Sequence, residues 1–85
     1  MRHPKFIIYG NELRIGRVDL HKQLLPEQPD LSKVYGGGLW RIDKEAKRLH
    51  LSGRSHDFGR FDESRALTCE LPARLADFQV VIDDQ

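Results

Sequence analysis

The chain has 85 residues, of which 39% are hydrophobic and 32% are charged, with a formal net charge of +1. This balance predicts one soluble domain over residues 1–85 and excludes a protein that binds nucleic acid through a basic stripe. A single cysteine, Cys69, excludes an internal disulfide and a multi-cysteine zinc site, and it indicates a reducing compartment. The apolar run near the N-terminus is too short to span a membrane. We therefore expect a cytoplasmic monomer without metal or cofactor.

The first part of the chain predicts a hairpin followed by a helix. Lys5–Tyr9 is rich in β-branched and aromatic residues, and Leu13–Val18 alternates apolar with polar side chains, so both favour strands. Gly10-Asn11 between them is typical of a tight turn. Asp19 then predicts an N-cap, and the apolar spacing over residues 20–25 predicts a short helix before Pro26.

The second part of the chain predicts a second hairpin, another helix and a final strand. Asp62 is the expected cap of the helix, and its apolar residues Ala66, Leu67 and Leu71 should face the core. The predicted bounds are Val34–Ile42 and Arg48–Gly53 for the hairpin, Glu63–Leu71 for the helix and Phe78–Ile82 for the strand. This order predicts an α+β fold, a single mixed β-sheet flanked by two helices.

Three consecutive glycines, Gly36, Gly37 and Gly38, open the third predicted strand. Glycine weakens a strand because it costs backbone entropy and offers no side chain to pack. Three in a row therefore indicate a close approach to the backbone, either by a ligand or by another strand.

A polar loop, Ser55-His56-Asp57, follows the returning strand and ends at Gly59. Its hydroxyl, imidazole and backbone N–H groups suit an anion site. The same residue types form hydrolase triads, but triads are recognised by geometry rather than by adjacency in sequence. The remaining alternative is a surface turn with Phe58 buried and Gly59 at positive φ.

The glycine run, the strand Leu49-His50-Leu51-Ser52-Gly53 and the loop Ser55-His56-Asp57-Phe58-Gly59 together resemble the Janus/Ocnus family. The best-known members of this family are small protein histidine phosphatases. The resemblance implies a phosphohistidine-phosphatase-like fold and a phosphate site without metal. It assigns phosphate contacts to Lys5, Arg17, Gly36, Gly37, Gly38, Ser55, His56 and Asp57.

The family's catalytic histidine lies two residues before an aspartate that matches Asp19, so its position falls on Arg17. A guanidinium binds phosphate but has no lone pair with which to act as a base. His21 or His56 would then have to be the catalytic base. The alternative for His21 is an exposed residue in the first turn of the helix.

Three functions remain open from the sequence. The first is hydrolysis of phosphohistidine or another phosphoramidate by a metal-independent phosphatase. The second is a non-catalytic member of the same fold that binds phosphate or a phosphorylated protein. The third is a small interaction domain whose site is vestigial. None of them involves nucleic acid or a membrane.

Overall fold

The computed structural model describes residues 2–83, in which five strands form one mixed sheet. The strands are β1 His3–Tyr9, β2 Glu12–Val18, β3 Val34–Asp43, β4 Arg48–Ser52 and β5 Gln79–Ile82. Their order is β2-β1-β3-β4-β5, and every neighbouring pair is antiparallel except β4 and β5, which are parallel. All five strands arise where the sequence predicts them, and the α+β class with a single mixed sheet is confirmed.

The helices are shorter than the sequence predicts. Within residues 2–83 there is one α-helix, α1 Glu63–Thr68, and there are three 3₁₀ helices, His21–Leu24, Leu31–Lys33 and Ala73–Leu75. None of the helices in this part of the chain is long and apolar enough to cross a membrane.

The predicted helix over residues 20–25 is wrong in type and in its cap. It is a single 3₁₀ turn whose N-cap is Leu20 instead of Asp19. The side chain of Gln23 binds the backbone at the start of the turn, where its Oε1 accepts hydrogen bonds from the N–H groups of Asp19 and Leu20 at 3.0 and 2.8 Å. The turn is thereby closed without a full α-helical segment.

Helix α1 begins as predicted, with Asp62 accepting the N–H of Arg65 at 3.1 Å. It stops at Thr68 because the next backbone groups bind the first hairpin. The N–H of Glu70 donates to Asn11 at 2.7 Å, and its carbonyl accepts from Leu13 at 2.9 Å. Ala66 is fully buried as expected, whereas the prediction for Leu67 is wrong, because that side chain is 59% exposed.

The two faces of the sheet differ in what covers them. One face, here called the core face, carries Phe6 and Ile8 of β1 and Leu49 and Leu51 of β4, all 0% exposed. Phe61, Ala66 and Leu75 lie outside the sheet and pack against this face. The opposite face, here called the outer face, carries Lys5, Ile7 and Gly37, because side chains alternate along each strand.

The glycine run is required by the protein's own backbone. Gly36 lies at φ +85° in a β-bulge between β1 and β3, and a Cβ there would sit 2.3 Å from the carbonyl oxygen of Arg60. A Cβ on Gly37 would lie 2.3 Å from the Phe6 oxygen, and one on Gly38 would lie 2.1 Å from the Ser52 oxygen. Close approach of another strand, one of the two expected causes of the run, is therefore present at Gly37 and Gly38, whereas Gly36 is approached by the backbone of residues 60–61, which lies outside the strands.

Candidate anion site on the outer face

His21 lies against the glycine run on the outer face. It is only 3% exposed, so the alternative of an exposed first-turn residue is wrong. Its Nε2 is 2.8 Å from the carbonyl oxygen of Gly38. A carbonyl can only accept a hydrogen bond, so Nε2 carries a proton and Nδ1 is the nitrogen that holds a lone pair in the neutral ring.

The end of β2 and the 3₁₀ helix His21–Leu24 position this ring. Leu24 packs over Gly16, because a Cβ on Gly16 would lie 3.0 Å from the Cδ2 methyl group of Leu24. The backbone carbonyl of Leu24 accepts a hydrogen bond from Arg14 Nε at 2.5 Å. A Cβ on Gly37 would approach the ring carbon Cδ2 of His21 to 3.1 Å. The bare backbone of the glycine run therefore leaves the space that the imidazole occupies.

The surroundings of His21 favour the neutral ring. Burial lowers the pKa of His21 below its ordinary value of 6.5, and the positive charge of Lys5 acts in the same direction. The Gly38 carbonyl and the carboxylate of Asp57 act against this but do not reverse it. Near pH 7 the ring is therefore uncharged.

Nδ1 of His21 is not engaged by another residue within residues 2–83. The hydrogen bond of this ring runs through Nε2, and no fully buried side-chain nitrogen in that range lacks a partner, so Nδ1 keeps some contact with solvent. A lone pair that is held at a fixed place and not engaged by the protein is what a general base requires.

Acidification is expected to destabilise the protein through His21. Its pKa is ordinary, near 6.5, in the unfolded chain and lower in the folded one, so the unfolded chain binds more protons below about pH 6.5. The urea midpoint should therefore decrease when the pH is lowered from about 7.5 to about 5.5. The decrease should be smaller in His21→Gln. Lys5 and Asp57 flank the ring in both proteins, so the difference reports on His21. Equal pH dependence in the two would show that the ring does not titrate in this way.

Lys5 is brought to the same site. It lies opposite Gly16 and Leu39 in the sheet, and its Nζ donates to the backbone carbonyl of Asp19, at the entrance to the His21 turn. Its ammonium group also influences the pKa of His21. The site thus pairs a fixed cation with a neutral imidazole.

Arg17 is not brought to this site. It lies opposite Pro4 in the hairpin, one position from the Lys5–Gly16 pair, so its side chain projects from the core face. There its guanidinium stacks 5.1 Å from the centroid of the Trp40 ring, which packs against the core. The structure therefore separates the two basic residues that the resemblance assigns to one phosphate.

The Ser55 loop closes on itself. Ser55 is 2% exposed, and its Oγ accepts the N–H groups of Asp57 at 3.1 Å and Phe58 at 3.0 Å. Ser55 and Gly59 exchange two backbone hydrogen bonds of 3.0 and 2.8 Å, with Gly59 at φ +79°. Two of the amides expected to meet an anion are thus already occupied by the serine hydroxyl.

The same loop gives no support to a catalytic triad. In the described part of the chain, the hydrogen bonds of Ser55 Oγ run to backbone N–H groups and not to a histidine. His56 and Asp57 are exposed at the loop tip. Asp57 nevertheless lies near enough to His21 to act on its pKa, so the loop borders the site.

Sequence reasoning missed how His21 is held. A histidine three residues after a strand gives no sign that its ring will lie against Gly38, which is 17 residues later in the chain. The available signal was the glycine run itself, since a bare backbone leaves room for a ring on that face. Across residues 2–83, no group of three or more His, Cys, Asp or Glu side chains is placed to hold a metal ion.

Comparison with known proteins gives no neighbour from which to assign a class or an identity: no family model, curated protein or solved structure matches this chain.

Proposed function

We propose that this protein is a phosphohistidine-phosphatase-like hydrolase that cleaves a phosphoramidate without a metal, with His21 as the base. The observation that carries the proposal is the His21 ring, buried on the glycine run with Nε2 anchored to Gly38 and with Nδ1 not hydrogen-bonded within residues 2–83. The phosphohistidine-phosphatase-like form of the fold belongs to the same proposal. The proposal also includes a cytoplasmic location, with which the free thiol of Cys69 agrees.

The chemistry follows from the two nitrogens of the ring. Nδ1 removes a proton from a water molecule as that water forms a bond to phosphorus. The P–N bond breaks and its electron pair stays on the departing nitrogen, which takes up a proton from solvent, and Nδ1 afterwards returns its own proton to solvent. Lys5 neutralises charge on the phosphoryl oxygens, and Arg17, on the other face, has no part in the step.

Incubation of the protein with phosphohistidine and with phosphoramidate, in the presence of a chelator, tests this proposal. We expect release of inorganic phosphate well above that of a heat-denatured sample, and we expect it to persist in Arg17→Gln. Release no faster than in the denatured sample would refute the hydrolase.

The closed Ser55 loop favours a second candidate, a protein of the same fold that binds a phosphoryl group without turnover. With the Asp57 and Phe58 amides engaged, the loop has fewer donors for a transition state. An NMR titration with inorganic phosphate separates the two. Amide shifts at Gly37, Gly38 and His56 without hydrolysis support binding alone, and an absence of shifts excludes the binding candidate.

A further inference from the structure

A concave site lies on the core side of the molecule, away from His21. It is a cleft of about 460 Å³ between the β3–β4 turn and the segment that leads into β5. Its lining is half apolar and half basic: Ile42, Leu75 and Phe78, with Lys44, Lys47 and Arg74. This volume falls in the range of small-molecule sites, which are apolar with a few placed polar groups.

All the charged side chains that line the cleft are basic. Lys47 is bound to Asp77, with 2.6 Å between Nζ and Oδ2. In the part of the chain that the structure describes, neither Lys44 nor Arg74 has an acidic partner within salt-bridge distance. Two cations therefore remain available to a ligand beside an apolar floor.

The cleft is also preformed. The turn that carries both lysines is fixed by Asp43 Oδ1, which accepts the Ala46 N–H at 3.2 Å, and by the Lys47 carbonyl, which accepts from Gln79 at 2.8 Å. Lys47 itself lies at φ 55°, and its Nζ sits 5.8 Å from the centroid of the Phe78 ring. A ligand would meet cations whose backbone is already held in place, which limits the ordering cost of binding.

We propose that this cleft binds a small amphipathic anion, an aromatic or short aliphatic body that ends in one carboxylate or phosphate group. The apolar body lies on Ile42, Leu75 and Phe78, and the anionic group lies between Lys44 and Arg74. This site is independent of the proposed hydrolase, because its residues lie on the core side and none of them belongs to the His21 site.

An NMR titration with phenylbutyrate tests the proposal, with phenylbutanol as a neutral analogue and acetate as an anion without the apolar body. We expect saturable shifts of the Ile42, Lys47 and Phe78 amides with phenylbutyrate, and binding about tenfold weaker or more for phenylbutanol. Acetate should cause no saturable shift.

Variants locate the anionic group. Arg74→Gln and Lys44→Gln should each weaken phenylbutyrate binding by about threefold to tenfold. Both side chains are exposed, so the fold should tolerate the change, and Arg48→Gln is the matched control because Arg48 is an exposed cation on the outer face. Equal affinity for phenylbutanol, an equal loss in Arg48→Gln, or shifts only around His21 would overturn the assignment.

Discussion

Replacement of Gly36 by alanine is expected to lower the free energy of unfolding by about 3–5 kcal/mol. Two costs add at this position. The residue lies at φ +85°, where a side chain is strained, and its Cβ would lie 2.3 Å from the Arg60 oxygen and 2.6 Å from the Phe61 Cα. Since both neighbours are backbone atoms, no rotamer change relieves the contact. Urea denaturation followed by circular dichroism measures the loss.

Gly59→Ala is the matched control. Gly59 lies at φ +79°, almost the same conformation, but a Cβ there would have no neighbour within 4 Å. Gly59→Ala should therefore lower the free energy of unfolding by only about 1–2 kcal/mol, which is the effect of the left-handed backbone conformation alone. If the two variants lose equal stability, the crowding at Gly36 does not matter and the packing explanation of the glycine run fails.

The largest expected effect on activity belongs to His21. In the proposed reaction, His21→Gln should lower the rate of phosphoramidate hydrolysis by about 10²–10⁴-fold, the usual contribution of a general base. Glutamine is the informative replacement because its amide can still donate to the Gly38 carbonyl, as Nε2 does, but offers no basic nitrogen. Steady-state kinetics with phosphohistidine, alongside a urea melt of each variant, provide the measurement.

His56→Ala is the comparison that decides between the two histidines. His56 lies exposed at the tip of the Ser55 loop, whereas His21 is buried and anchored. The loss of His56 should therefore leave the rate near that of the wild type. A large loss in His56→Ala with a small one in His21→Gln would transfer the role of base to the loop. A similar modest loss in both would show that neither acts as the base.

Local patterns were sufficient for the strands. Alternation over Leu13–Val18, the turn at Gly10-Asn11 and the apolar pair Leu49 and Leu51 each act over a few residues, and the structure confirms them. The helices were less predictable, because their ends depend on distant partners. Nothing near Thr68 indicates that Glu70 will bind the first hairpin and end α1 there.

The sequence by itself determined the α+β class, the antiparallel hairpins and the demand for bare backbone at Gly36–Gly38. These follow from side-chain alternation and from the conformational freedom of glycine, which are properties of neighbouring residues. Only the tertiary structure decided which groups meet on each face of the sheet. It placed Arg17 on Trp40 and Lys5 near His21, because a shift of one residue along a strand moves a side chain to the opposite face.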